Sequence, residues 1–151
     1  MVLGLLALSV SGTSDGIPEG WWLKCKARPV KSFNEFQNLI QGELAHKFVF
    51  IDTYMEYCPY CFYCLDDFNS IVEDMTKWYG ADQVAFLKID GTKVKDFSRR
   101  YKISSYPKFI ALYPNKEGLE FTVFRASPRD YDQFKKWMVG IMGDTPTVAQ
   151  R

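Results

Sequence analysis

Residues 48–61 read FVFIDTYMEYCPYC, an apolar run that leads, after a few polar positions, into two cysteines three residues apart. The run Phe48–Tyr54 is short and rich in residues that favour β-structure, so it predicts a buried central strand. Pro59 directly follows the first cysteine, and proline is typical of the first turn of a helix. The stretch therefore predicts a strand, a turn and the beginning of a helix, with both cysteines where the helix begins.

This placement of the cysteines suits thiol chemistry. At a helix start, unpaired backbone N–H groups and the helix dipole stabilise a thiolate on Cys58, which lowers its pKa from ~8.5 towards neutrality or below. Cys61 lies one turn along the same helix, where it can attack a mixed disulfide formed on Cys58. The alternative is a pair of structural cysteines that happen to begin a helix.

Periodicity and helix-end signals divide the rest of the chain. Ser32-Phe33-Asn34-Glu35 has the Ser-x-x-Glu pattern of a helix start, and Ser127-Pro128-Arg129-Asp130 combines a Ser cap with an early proline. Predicted helices and strands alternate along the chain until a final hairpin, and this order predicts a mixed four- to five-stranded sheet with helices on both faces. The predicted elements are a helix behind Ser32, the strand Phe48–Tyr54, one long helix Pro59–Tyr79, the strand Val84–Asp90, a short helix Val94–Tyr101, the strands Lys108–Tyr113 and Leu119–Phe124 around a turn at Pro114–Gly118, a closing helix to about Met142, and one more short strand near Val30.

Composition excludes several classes of function. The chain has 151 residues, of which 47% are hydrophobic and 25% charged, as expected for one globular domain with a short extension. A net charge of +1 lacks the basic excess of a nucleic-acid binder. The single histidine, His46, excludes a zinc site built on two histidines of this chain. Aromatic residues make up 17%, enough to leave rings for a surface that binds a partner.

The first ten residues, MVLGLLALSV, form an apolar segment. As a helix it would reach only ~15 Å against a bilayer core of roughly 30 Å, so it predicts no transmembrane span. It suits a signal peptide that lacks its basic start, or a retained segment that packs on the domain or on a partner. We expect an N-terminal apolar segment and linker or extension at 1–29, pinned by burial of Trp21 and Trp22, a domain at 30–143 and a tail at 144–151. The favoured compartment is an organelle or endomembrane lumen rather than the cytosol.

Several separated motifs resemble the thioredoxin superfamily. The run Asp52–Cys58 is similar to the family's buried acid, aromatic pair and residue before the first cysteine, although Tyr57 stands where the family has Trp. Val84–Asp90 resembles the family's third strand. Tyr101–Pro107 resembles the stretch that ends in its cis-proline, with an aromatic before the proline as in protein disulfide isomerase. The Pro-Tyr pair between the cysteines is the glutaredoxin choice, and Ser127-Pro128-Arg129 is similar to a Gly-Pro-Arg segment of isomerase domains.

The resemblance covers about Val30 to Met142 and implies a thioredoxin-like three-layer α/β fold, with no cofactor and no metal. It implies a thiol–disulfide oxidoreductase in which Cys58 attacks a substrate disulfide and Cys61 resolves it. Asp52, a buried acid with a raised pKa, would accept the proton of Cys61; the alternative is a strand acid without a role. Pro107, if cis, would place its backbone beside the cysteines to pair with an extended substrate, and otherwise is a plain turn proline.

The partners that the resemblance implies are protein substrates with disulfides or thiols. Tyr54, Tyr57, Tyr60 and Tyr106 would supply an aromatic docking surface around the cysteines. Arg129 would approach Cys61 and stabilise its thiolate, or would be an ordinary solvated arginine.

Two further cysteines are open to more than one interpretation. Cys64 extends the pair to Cys-x-x-Cys-x-x-Cys, and is either a core cysteine, an extra redox thiol or, together with Cys25, part of a metal or cluster site. Cys25 lies between two lysines, which would favour its thiolate, or it is only a residue of the surface or the extension.

Departures from the family pattern bear on redox potential. Phe86 stands where thioredoxins carry a lysine beside the buried acid, Asp66 replaces a helix proline, and Lys108 follows Pro107 where Thr is usual. The loss of the lysine would raise the pKa values of the thiols, but we expect the helix start to dominate. The pair is then more oxidising than that of thioredoxin, nearer ~−200 mV than ~−270 mV.

A second class of function stays open at this stage. The apolar start, Trp21-Trp22 and the missing lysine would also fit a thioredoxin-like structural or adaptor subunit of a larger, organellar or membrane-associated assembly. The N-terminal segment would then hold the chain in a stable protein complex.

Overall fold

The computed structural model describes residues 16–114 and 120–143. After a 3₁₀ turn at Trp21–Lys24, these residues form β1 (Arg28–Pro29), α1 (Phe33–Gln41), β2 (Phe48–Tyr54), α2 (Pro59–Tyr63), α3 (Leu65–Tyr79), β3 (Val84–Asp90), α4 (Lys95–Arg100), β4 (Lys108–Leu112), β5 (Phe121–Val123) and α5 (Tyr131–Met142). The apolar segment at 1–10, most of the predicted turn at 114–118 and the tail at 144–151 lie outside the described residues.

The five strands form one mixed sheet in the order β1-β3-β2-β4-β5. β1 and β2 run parallel to β3, whereas β4 is antiparallel to both β2 and β5. The strand that precedes the cysteines is therefore central, and Asp52 lies opposite Lys88 of β3 and Phe109 of β4. The prediction of a mixed sheet with a terminal hairpin is confirmed.

Successive side chains of β2 point to opposite faces of the sheet, and each face has its own core. Phe50 and Tyr54 pack with the inner residues of α3 and α5, including Phe68, Met75 and Phe134. Val49 and Ile51 pack on the other face, with α1 and α4. Helices thus cover both faces, as predicted, and Asp52 lies on the face that carries α3 and α5.

The helix that begins at Pro59 differs from the prediction. The structure breaks it at Cys64, so that α2 ends at Tyr63 and α3 begins at Leu65. The apolar stripe of Leu65, Phe68, Ile71, Val72 and Met75 is buried in α3 as predicted. The break therefore changes the direction of the chain without changing which face is buried.

The closing helix also begins later than predicted. Its N-cap is Asp130, whose carboxylate accepts the backbone N–H of Gln133 at 3.0 Å, and the Ser127–Pro128 peptide before it is cis. Ser127 is thus not the cap, because three more residues pass before helical geometry begins. The predicted cap of α1 is confirmed, since the hydroxyl of Ser32 accepts the N–H of Glu35.

The segment before β1 packs into the core. Trp21 is buried between Tyr54 and Phe62, and its indole N–H donates to the Glu56 carbonyl at 2.7 Å. Trp22 is half-buried beside it. Burial of Trp21 holds this segment against the domain, as the sequence predicted, whereas Trp22 is buried only in part. Within the described ranges, no helix has the length and apolar character needed to cross a bilayer.

Candidate functional site

The two cysteines of the motif lie at the start of α2, directly beyond the carboxyl end of β2. Cys58 is the N-cap and is disulfide-bonded to Cys61, with their Cα atoms 5.3 Å apart. The backbone N–H of Cys61 points at the sulfur of Cys58, at a distance of 3.2 Å. The sequence predicted both cysteines at the start of a helix, and the structure places them there.

A cis-proline loop lies against the cysteine pair. The Tyr106–Pro107 peptide is cis, as expected, and the Tyr106 carbonyl oxygen lies 3.6 Å from the sulfur of Cys58. Gly91 makes this packing possible. A Cβ at Gly91 would lie 2.6 Å from the Tyr106 hydroxyl and 2.9 Å from the Thr53 methyl group, so a larger residue would displace the Tyr106 ring.

Asp52 is buried on the strand below the pair. Burial raises the pKa of its carboxyl from 3.8 to about 7, while a hydrogen bond from Cys25 and the charge of Lys88 act in the opposite direction. Its Oδ2 atom accepts from the thiol of Cys25, whereas Oδ1 is buried and has no hydrogen-bond partner among the described residues. A carboxyl with these properties can exchange a proton near neutral pH.

Cys25 and Lys88 form the surroundings of this acid. Cys25 is 6% exposed, so the alternative of a surface residue is wrong. Burial, and next the charge of Asp52, raises the pKa of its thiol to about 12, so the flanking lysines do not favour a thiolate there. Lys88 is buried as well and donates to the carbonyls of Trp22 and Cys25 at 2.8 and 2.9 Å.

Lys88 also corrects the expectation drawn from Phe86. Phe86 stacks on Phe50 in the core, with ring centroids 5.6 Å apart. The positive charge beside the acid is not lost, because Lys88 stands two positions further along the same face of β3, in register with Asp52.

The remaining predicted residues divide into buried and exposed ones. Cys64 is a buried thiol that donates to the Cys61 carbonyl, and burial raises its pKa to about 12. Arg129 is exposed and lines a cleft with Pro107 and Phe124. Its charge lowers the pKa of Cys64, which is a smaller effect than burial. The position of Cys64 is that of a core cysteine.

Three exposed tyrosines lie close to the cysteine pair along the chain. Tyr57, Tyr60 and Tyr63 are 66%, 65% and 67% exposed, although large apolar rings are usually buried. Tyr60 and Tyr63 make an edge-to-face contact along α2. Tyr106 is half-buried, and Tyr54 is buried, so Tyr54 is wrong as a docking residue.

Sequence reasoning missed Tyr63, Lys88 and Gly91. Helical spacing from Tyr60 could have placed Tyr63 on the same side of the helix. A lysine inside the apolar strand Val84–Asp90 is a signal of a buried partner, because lysine is almost never fully buried unless paired. Gly91 carries no comparable signal, because the side chain that leaves no room for a Cβ there is that of Tyr106, fifteen residues later.

Comparison with known proteins identifies one family. The family model described as thioredoxin matches residues 29–139. Thioredoxin-1 of Drosophila melanogaster is 28% identical over 92 residues, which are 61% of this chain and 80% of that protein. Thioredoxin-1 of Drosophila yakuba is 29% identical over 93 residues, 62% of this chain and 81% of that protein.

Solved structures show the same fold at lower identity. The germline-specific thioredoxin Deadhead of Drosophila melanogaster superposes with a TM-score of 0.56 at 24% identity, covering 75% of this chain and 97% of that one. Human ERp44 superposes with a TM-score of 0.68 at 15% identity, covering 83% of this chain and 33% of that one. The match of the family model over residues 29–139, together with the shared fold, shows that this chain belongs to the thioredoxin family.

Proposed function

We propose that this protein exchanges disulfides with protein substrates through Cys58 and Cys61. Thiol–disulfide oxidoreductase chemistry is the general activity of the family to which the chain belongs. The observation that carries the proposal for these residues is the cysteine pair at the start of α2, with the Cys61 N–H aimed at the sulfur of Cys58. The first cysteine is the better nucleophile of the two, because only its sulfur receives that N–H.

The reaction begins from the reduced pair. The Cys58 thiolate attacks one sulfur of a substrate disulfide, a mixed disulfide forms, and the other substrate sulfur leaves as a thiolate. Cys61 then loses its proton and attacks the sulfur of Cys58, and the second substrate sulfur leaves. Two electrons have passed from the protein to the substrate, and the protein holds the Cys58–Cys61 disulfide that the structure contains. An external dithiol must reduce it before the next turnover.

Asp52 is the proposed acceptor of the Cys61 proton. Its carboxyl has a pKa of about 7 because it is buried, so it is partly ionised at neutral pH. Within residues 16–114 and 120–143, Asp52 Oδ1 has no hydrogen-bond partner, which makes it the proposed accepting atom. A general base is most effective when its pKa lies near the working pH.

The substrate would lie across the cis-proline loop and the exposed tyrosines. The Tyr106 carbonyl beside Cys58 offers a main-chain acceptor to an extended segment. Tyr57, Tyr60 and Tyr63 present rings that a substrate can cover, each with a hydroxyl that stays in water. These features favour protein substrates over small disulfides.

The test is reduction of the insulin disulfides with dithiothreitol as the electron source. We expect turnover by the wild-type chain, and its loss in Cys58→Ser. In a single turnover without dithiothreitol, reduced Cys61→Ser should stop after the first step and accumulate a mixed disulfide that mass spectrometry detects. Cys64→Ala is the control, because it removes a buried thiol that takes no part in exchange. Equal rates in wild type and Cys58→Ser would reject the proposal.

The adaptor subunit remains a second proposal, for which the buried Trp21 segment is the favouring observation. Native mass measurement of the intact protein separates the two functions. A stable monomer favours the free enzyme, and obligate co-purification with another chain favours the subunit.

A further inference from the structure

Cys25 makes a contact that the exchange reaction does not use. Its thiol donates to Asp52 Oδ2, with sulfur and oxygen 3.8 Å apart, and both side chains are buried. The two residues are 27 positions apart, so the contact exists only because the segment before β1 folds back on the sheet. The other oxygen of the same carboxyl, Oδ1, is buried and receives no hydrogen bond from the part of the chain that the structure describes.

Cys25 is itself held in place by main-chain contacts. The ammonium group of Lys88 donates to the carbonyls of Cys25 and Trp22, at 2.9 and 2.8 Å. On the other side, the backbone N–H of Lys26 donates to the side chain of Asn69 on α3, at 2.8 Å. The thiol therefore has little freedom to move away from the acid.

The groups around Asp52 come from several elements. Cys25 approaches from the segment before β1 and Lys88 from β3, while Cys64 at the end of α2 and Tyr54 of the same strand both respond to the charge of Asp52. Arg129, from the loop before α5, acts on Cys64. Of these, Cys25 is the group that donates a hydrogen bond to the carboxyl.

We propose that Cys25 is a positioning residue for the buried acid: its thiol occupies Oδ2 of Asp52 and leaves Oδ1 as the oxygen that receives the proton of the resolving cysteine. This inference rests on the proposed function, because it assigns a task to the acid in that reaction. Cys25 suits the task for two reasons. A thiol whose pKa is about 12 stays protonated at neutral pH and can only donate to a carboxylate, and its weak hydrogen bond leaves the acid able to titrate.

The sign of the effect follows from the hydrogen bond. A donor on Oδ2 favours the ionised carboxylate, so that Cys25 lowers the pKa that burial raises. Removal of the donor should raise the pKa of Asp52, and the base would then be active only at higher pH. We expect a shift of about half a pH unit, since a thiol is a weak donor.

The experiment compares three substitutions in the full-length reduced protein. Cys25→Ala and Cys25→Val remove the donor, and Val also fills the volume in case Ala weakens folding. Cys25→Ser keeps a donor. Titration of the Asp52 carboxyl is followed by its infrared band, which Asp52→Asn identifies. In parallel, the pH profile of the resolving step is measured on a mixed disulfide preformed at Cys58. Cys64→Ala is the matched control, because it removes a buried thiol that does not bind the carboxyl.

Two results together support the inference: Cys25→Ala or Cys25→Val shifts the carboxyl titration and the pH profile upward by the same amount, and Cys25→Ser and Cys64→Ala leave both near the wild-type position. The inference would be overturned if the Asp52 carboxyl of Cys25→Val titrated at the same pH as that of the wild type. An equal shift in Cys25→Ser would overturn it as well, because packing and not the donor would then be responsible. If neither the wild type nor any variant exchanges disulfides, the proposed function fails. The infrared titration then still decides whether Cys25 lowers the pKa of Asp52.

Discussion

Asp52 links the candidate site to the stability of the fold. In the folded chain burial raises the pKa of this carboxyl to about 7, whereas in the unfolded chain it ionises near its ordinary value of 3.8. Below pH 4 both states hold the proton and no stability is lost. As the pH rises from about 4 to about 7, the unfolded state releases the proton and the folded state keeps it. The free energy of unfolding therefore falls across this window and levels off above it.

This predicts a difference between wild type and Asp52→Asn. Between pH 4 and pH 8 the wild type should lose roughly 4 kcal/mol of stability that the Asn variant does not lose, since each unit of pKa shift corresponds to about 1.4 kcal/mol. Urea unfolding of both proteins at pH 4, 6 and 8 measures the difference. Parallel stability curves for the two proteins would mean that Asp52 keeps an ordinary pKa after folding.

At the scale of elements, the short helix α2 presents two rings on one side of the cysteine pair. Tyr60 and Tyr63 are exposed and touch edge to face. In the double variant Tyr60→Ala/Tyr63→Ala we expect kcat/KM for the reduction of insulin to fall about tenfold. The reason is the loss of two aromatic contacts with the substrate, each of about 0.5–1.5 kcal/mol. The rate with a small aromatic disulfide serves as the internal control and should change less than twofold. An equal loss with both substrates would place the effect on the cysteines rather than on docking.

Element types were predictable from sequence, and the ends of two elements were not. The strand Phe48–Tyr54 and the cap at Ser32 follow from local patterns that later contacts do not change. The break at Cys64 is different, because the apolar stripe runs through it and no Gly or Pro marks it. The start of the closing helix at Asp130 was missed because Ser127 is an equally good cap in sequence terms.

At the scale of the whole molecule, the resemblance to thioredoxin motifs predicted the cysteine pair, the proline loop and the acid, which the fold brings together near one end of the neighbouring strands β2 and β4. Cys25 and Lys88 were beyond such reasoning. Their contacts join residues 27 and 63 positions apart, and no periodic pattern connects the segment before β1 with the centre of β3. The roles of Cys25 and Lys88 depend on the packing of that segment against β2 and β3, which only the structure shows.

The same docking predicts that the domain does not fold from residue 29 onward, although the family model begins there. A chain of residues 29–143 would lack Ile17, Trp21, Cys25 and Ala27, which the full chain buries in the core beside α3. It would also leave the buried ammonium group of Lys88 without its two carbonyl acceptors. Loss of one buried tryptophan costs about 3–5 kcal/mol, and loss of the three smaller buried side chains adds to it. The sum is comparable with the whole stability of a small domain, about 5–15 kcal/mol.

We therefore expect the 29–143 chain to show no cooperative thermal unfolding by circular dichroism, while the full chain unfolds in one transition. Trp21→Ala and Trp22→Ala in the full chain measure how much each tryptophan contributes to the free energy of unfolding. Trp21 is 2% exposed, so Trp21→Ala should lower the free energy of unfolding by about 3–5 kcal/mol. Trp22 is half-buried, and Trp22→Ala keeps the backbone carbonyl that Lys88 binds, so this substitution should cost less than about 2 kcal/mol. A 29–143 chain with the unfolding midpoint of the full chain would instead make residues 16–28 a dispensable appendage. The boundary near residue 30 would then be the true edge of the fold.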